Sequence, residues 1–280
     1  MARRGRFRGR ATAGGVDAFL GIRYAEPPFG PRRLHALTRV DHVGDCLDFG
    51  PVAPRSAELP GAPVWRPGDE DVLSLDVWAP SAADGLPVLL FLHGGAYAFG
   101  SSARPDYDGT ALARAGLVVV TCNHRLGFEG FGHVGGRPRN RGLLDQLAAL
   151  HWVRDEIAVF GGDPDRITVA GQSAGAGSAL FLAAAAPGAV RRVIAHSVPN
   201  RCYTEGFARR VARWVDTTGP ASAVASADAP ARAQTSGPLA YDPVLFGPVA
   251  DRLPALPDGV DALCCATPPT STGCSSGSAR

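Results

Sequence analysis

The chain has no lysine. All 28 of its basic residues are arginine, and 26 acidic residues leave a net charge of only +2. That balance excludes a general electrostatic case for nucleic acid or an acidic membrane surface as partner. With so much Ala, Gly and Pro, the missing lysine points to a biased coding composition, not to a function. No apolar run approaches the ~20 residues that a membrane-spanning helix needs. Arg3, Arg4, Arg6, Arg8 and Arg10 crowd the N-terminus. No apolar stretch follows them, so they do not head a signal peptide, and they read as a solvated edge strand. Six cysteines at irregular spacing exclude a disulfide framework in a chain of this length. Cys264 and Cys265 are adjacent and no histidine follows them, which excludes a zinc site. Neither a metal nor a cofactor is expected.

What is present is an alternation of strand and helix signals. Val16 to Ala25 reads as a strand stopped by Pro27-Pro28. Residues 29–70 read as loop with short strands. Leu73 to Trp78 alternates, with Leu73, Leu75 and Val77 on one face and Ser74, Asp76 and Trp78 on the other. Val88 to Leu92 is continuously apolar, as a strand buried on both faces requires. Asp108 is placed to cap a short helix ending before Gly116, and Leu117 to Thr121 is another buried strand. Asn140 to Phe160 carries Leu143, Leu144, Leu147, Leu150, Val153 and Ile157 at helical steps. Gly161-Gly162 stops that helix, and Asp163-Pro164-Asp165 turns the chain. Strands follow at Ile167 to Ala170 and Arg192 to Ala195. This βαβ spacing implies an α/β fold, with a largely parallel central sheet and helices on both faces.

Between the last two strands lies Gly171-Gln172-Ser173-Ala174-Gly175, then a small-residue helix to Ala186. Strand, sharp turn and helix with serine at the apex is the nucleophile-elbow pattern of serine hydrolases. Attack by Ser173 on an ester would create an oxyanion, which needs backbone N–H groups fixed in advance. Ala174 and the loop His93-Gly94-Gly95-Ala96 are placed to supply them. Ligands in such sheets bind at the carboxyl ends of strands, where both segments lie.

In these segments the chain resembles the type-B carboxylesterase family, the relatives of cholinesterases and p-nitrobenzyl esterases. Phe19 to Pro28 resembles its FxGIPYAxPP signature, and Glu70 to Trp78 its EDCLYLNVW segment. Leu92 to Tyr97 resembles the HGGGF loop, and Asn123 to Gly127 the NYRLG turn. Gly142 to Leu150, Phe160 to Pro164 and Gly171 to Ala176 follow in family order, and Phe246 to Asp251 with Leu253-Pro254 resembles a later segment. The resemblance implies an α/β-hydrolase fold and hydrolysis of a small-molecule ester through an acyl-serine. Ser173 would be the nucleophile and Gly95, Ala96 and Ala174 the oxyanion hole, with His93, Gly94 and Gln172 supporting. Ala96 stands where many members have Gly, Gln172 where Glu is usual, and Asp76 also departs from the signature. Val72 replaces a cysteine that secreted members pair in a disulfide, which implies a cytoplasmic setting.

The family order is serine, then an acid, then a histidine far downstream. The seven histidines here are at 35, 42, 93, 124, 133, 151 and 196. The resemblance therefore implies that the catalytic acid, the catalytic histidine and the last strands are missing from a chain about half a full member's length. Residues 1–263 are expected to form the N-terminal part of the hydrolase domain, with a linker at 221–237 and a low-complexity, disordered tail at 264–280. The strand ending near His196 is then expected to be an exposed edge, or the cleft's missing wall to leave core surface in water. The alternative is a catalytically inactive fragment, or a non-enzymatic binding or adhesion protein. Asp251, Asp258 and Asp261 read as surface carboxylates, His151 as a surface residue, and His93, His124 and His196 as ordering or packing residues.

Overall fold

The N-terminal arginines are absorbed by the fold they help to build. A computed structural model describes residues 1–12, 14–54, 64–66, 68–199, 202–216 and 247–265. β1 (Ala2–Arg4) and β2 (Phe7–Thr12) form an antiparallel hairpin. Phe7 is fully buried, while Arg4, Arg6, Arg8 and Arg10 pair with Asp17, Glu156, Asp45 and Asp48. The Arg8 and Arg10 pairs are exposed, and such a pair contributes at most about 1 kcal/mol, while Arg4 and Arg6 are half-buried against the edge. β3 (Val16–Arg23) pairs antiparallel with β2, and the two-residue β4 (Gly44–Asp45) pairs parallel with β2.

The other strands are β5 (Ser74–Pro80), β6 (Leu86–Leu92), β7 (Val118–Cys122), β8 (Gly162–Gln172), β9 (Arg192–His196) and β10 (Asp261–Cys265). The sheet order is β1-β2-β3-β5-β7-β6-β8-β9-β10. Pairings up to β5–β7 are antiparallel, and β7-β6-β8-β9-β10 are parallel. The helices are α1 (Thr110–Arg114), α2 (Gly127–Phe131), α3 (Arg141–Glu156), α4 (Ala174–Ala185) and α5 (Glu205–Asp216). The two sheet faces follow from strand parity. Leu75, Val77, Leu90, Val118 and Val120 point into a core closed by Leu150, Val153, Ala179 and Leu182 of α3 and α4. Trp78 and Val119 point the other way, onto Ala113 of α1.

Several expectations shift. β6 is buried at Val88, Leu90 and Leu92 but only half-buried at Leu89 and Phe91. Its continuous apolar run overstates the cover: among the described residues the short α1 and the Pro105–Tyr107 turn lie on that face, with Tyr107 5.0 Å from the Phe91 ring. β5, read as alternating, is buried on both faces instead. Asp163-Pro164-Asp165 falls inside β8, where it forms the irregularity between the Leu86–Gly162 and Val88–Ile167 pairs. Asp108 accepts the Thr110 N–H at 2.8 Å, one residue before the helix boundary at Gly109. β9 is not an edge: β10 pairs with it in parallel, and β10 contains Cys264 and Cys265 and is exposed along its length. The linker at 221–237, Val244 to Phe246 and the tail from 266 lie outside the described residues. Among the described residues, no helix is long and apolar enough to cross a membrane.

Candidate active site

β8 ends at Gln172, α4 begins at Ala174, and Ser173 between them has φ +54° and ψ −121°. A non-glycine residue in such a conformation costs about 1–3 kcal/mol and persists only where its surroundings enforce it. They do. The Ser173 N–H donates to His196 O at 2.9 Å at the end of β9, and the Gly177 N–H donates to Ser173 O at 3.1 Å in the first turn of α4. The flanking glycines are dictated by contact. A Cβ on Gly175 would lie 2.0 Å from Leu92 O, and one on Gly171 would lie 2.3 Å from the Gly175 carbonyl carbon. β6 and the first turn of α4 therefore touch backbone to backbone, and a side chain in either position would push the serine off its perch.

The register Leu92–Gly171 brings the loop after β6 to the same place. A Cβ on Gly94 would sit 2.9 Å from Gln172 O and 3.5 Å from Ser173 Cβ, so that loop runs against the elbow. Gly95, Ala96 and Tyr97 follow with φ of +122°, +51° and +58°. Left-handed backbone costs an L-residue about 1–2 kcal/mol, so Ala96 and Tyr97 are held there by the rest of the loop. The N–H groups of Ala98 and Phe99 donate to Gly95 O at 2.9 and 3.0 Å, and the Gly127 N–H donates to Tyr97 O at 2.7 Å. Ala174 opens α4, and the N–H groups of a first turn have no partner within their own helix. Gly94, Gly95, Ala96 and Ser173 are half-buried, Ala174 is buried, and the Gln172 side chain is exposed.

His93 is buried at the start of this loop. Its Nδ1 lies 2.8 Å from Gly94 O, and its ring stacks on His124 with centroids 4.6 Å apart. His124 is buried, with its ring nitrogens 3.2 and 3.1 Å from Gln146 Nε2. Burial, and then the neighbouring His93, hold its pKa well below the usual histidine range, so it is a neutral packing group. Tyr97 is buried against Phe131, with ring centroids 4.8 Å apart, while Phe99 is half-buried. Trp152 is core, against Phe7 and Phe160. His196 is half-buried, with its Nδ1 3.4 Å from Ser197 Oγ, and contributes its carbonyl to Ser173. His151, Asp251, Asp258 and Asp261 are exposed. Among the described residues, no imidazole or carboxylate hydrogen-bonds the Ser173 hydroxyl, and no metal-ligand cluster occurs.

Composition and spacing did not reveal the buried charges that brace the site. Arg125 is fully buried and grips Asp145 of α3 through its backbone N–H (3.0 Å), Nε (2.8 Å) and Nη2 (2.6 Å). Arg141 is fully buried and donates only to carbonyls, those of Phe128, Glu129, Gly132 and Pro138. Burial and the nearby Arg125 lower its pKa to about 10. The available clue was Asp145 itself, a charge beside the apolar positions of an otherwise well-patterned helix.

The chain matches the carboxylesterase family over residues 1–214. It is 41% identical over 207 residues to a para-nitrobenzyl esterase of Bacillus subtilis (strain 168), a match covering 69% of this chain and 42% of that protein. It is 42% identical over 181 residues to a phenmedipham hydrolase of Pseudarthrobacter oxydans, covering 60% of this chain and 36% of that protein. Among solved structures, a thermophilic PNB esterase superposes with a TM-score of 0.79 at 33% identity, covering 93% of this chain and 61% of the other. A Geobacillus stearothermophilus carboxylesterase does so with a TM-score of 0.76 at 34% identity, covering 95% and 60%. The chain thus spans about two fifths of the length of these sequence relatives.

Proposed function

The chain belongs to the carboxylesterase family, and from that membership we propose that it carries the nucleophile half of a carboxylic ester hydrolase. Ser173 attacks the carbonyl of a small-molecule ester to give an acyl-serine, and the N–H groups of Gly95, Ala96 and Ala174 receive the oxyanion. The single observation that carries this reading is the Ser173 backbone, φ +54° and ψ −121° at a strand-to-helix turn packed against the glycine loop. Strain of this kind at a solvent-reaching serine has no structural use that an unstrained residue would not serve better. His93 and Gly94 keep the loop in place, and Gln172 stands beside the nucleophile. Residues 1–263 form the α/β-hydrolase portion. No cofactor or nucleic acid takes part. A cytoplasmic setting is supported by Val72 at the family's disulfide position and by free thiols at all five described cysteines.

An unassisted serine hydroxyl stays protonated and is a weak nucleophile. The second reading, a chain without catalytic turnover, is favoured by the absence of a base on Ser173 Oγ among the described residues. Removing triad members leaves roughly 10³–10⁴-fold acceleration over water in other serine hydrolases. The expected result with p-nitrophenyl butyrate is therefore little or no turnover, barely changed by Ser173→Ala. Robust hydrolysis abolished by Ser173→Ala would mean that this chain supplies its own base.

A further inference from the structure

A cavity of about 330 Å³ lies between α5 and the segments at 33–34 and 133–135. Its volume is inside the ~300–1,000 Å³ range of small-molecule sites. Arg33, His133, Arg209 and Arg213 line it on the polar side, and Leu34, Phe128, Val134 and Ala212 form apolar wall. Among the described residues, no acidic side chain lines it. Two of the cations already hold a carboxylate, although the one on Arg209 is shared with Arg139. Arg33 donates to Glu129 Oε1 through Nε (2.9 Å) and Nη2 (2.6 Å), and Arg209 pairs with Glu205 one turn back along α5. Arg213 has no ion pair among the described residues and lies on the same helix face as Arg209, four residues on. The Nδ1 of His133 is buried and without a hydrogen-bond partner among the described residues.

The cavity therefore presents one uncompensated guanidinium, an open imidazole nitrogen and an apolar wall. We infer that it is a binding site for an amphiphilic monocarboxylate, with the carboxylate on Arg213 and His133 and the hydrocarbon against Phe128, Leu34 and Val134. The planar guanidinium fork matches a carboxylate in a bidentate arrangement. A single uncommitted cation suits a monoanion better than a phosphate ester. The apolar wall gives a tail somewhere to lie, which a purely ionic surface patch would not.

The test is titration calorimetry of octanoate, with 1-octanol as the neutral comparison. The Ser173→Ala chain is used, so the outcome is independent of any hydrolytic activity. Expected are saturable octanoate binding, about tenfold weaker binding in Arg213→Gln, loss of affinity on raising salt and much weaker octanol binding. Arg213 is exposed, so its replacement leaves the fold intact. The inference is overturned if octanoate does not saturate, if Arg213→Gln binds as well as the parent, or if octanol binds equally.

Discussion

Arg125→Met is expected to cost about 3–5 kcal/mol, the usual penalty for leaving one member of a buried ion pair without its partner. Asp145 has no exposure, and both its oxygens are taken by Arg125. Methionine keeps the apolar stem and removes every charged donor, so the loss reports the carboxylate left behind. Arg125 also anchors the stretch that packs against the Gly94–Tyr97 loop. Its neighbour His124 stacks on His93, and Gly127, two residues on, donates to Tyr97 O. Urea denaturation should show a large fall in midpoint with an unchanged slope. A loss below about 1 kcal/mol would show that the pair does not carry the weight assigned to it here.

The second large effect has the opposite sign. Asp76 is fully buried in β5, where Oδ1 accepts the Gly21 N–H at 2.9 Å and Oδ2 accepts the Thr121 hydroxyl at 3.2 Å. Burial raises its pKa from 3.8 to about 6. A folded-state pKa above the unfolded one means that the folded chain binds the proton more tightly. Stability from this group is then greatest below about pH 4 and is lost as pH rises through 6. A shift of that size amounts to roughly 2–3 kcal/mol above pH 6. Asp76→Asn keeps the shape and the acceptor for the Gly21 N–H, and the Thr121 hydroxyl can turn to accept from the amide NH2; it should therefore stabilise the chain by about that much at pH 8 and by little at pH 4. Thermal unfolding at the two pH values checks it, and an equal effect at both, or a destabilisation at pH 8, would refute the assignment.

Both residues also show what a single sequence can and cannot disclose. β6, β7, β8 and β9 of the parallel half were legible because each carries a short apolar run, and α3 between β7 and β8 carries apolar residues at helical steps. The elbow was legible because its contacts exclude any Cβ, and that requirement is written directly as Gly171 and Gly175. β10 was not legible: Asp261 to Cys265 is exposed throughout, so it has no apolar face to announce it. Asp76 looked like the polar side of a half-exposed strand, since alternation cannot tell solvent from a second buried layer. The burial of Arg125 and Arg141 has no local signature, because it depends on partners 20 and about 10 residues away in the chain. The left-handed Ala96 and Tyr97 were hidden for a related reason, since tertiary hydrogen bonds overrule their local preference.

The central proposal is that Ser173 is a nucleophile held in a strained elbow against the Gly94–Tyr97 loop, with no base on its hydroxyl among the described residues. Imidazole can serve as an external base. The decisive measurement is p-nitrophenyl butyrate hydrolysis with and without imidazole, read as the difference between the parent chain and Ser173→Ala so that imidazole's own hydrolysis cancels. The account predicts no difference without imidazole and a saturable excess for the parent chain when imidazole is added. A parent chain that never exceeds Ser173→Ala at any imidazole concentration, or one that exceeds it strongly with none, would contradict it.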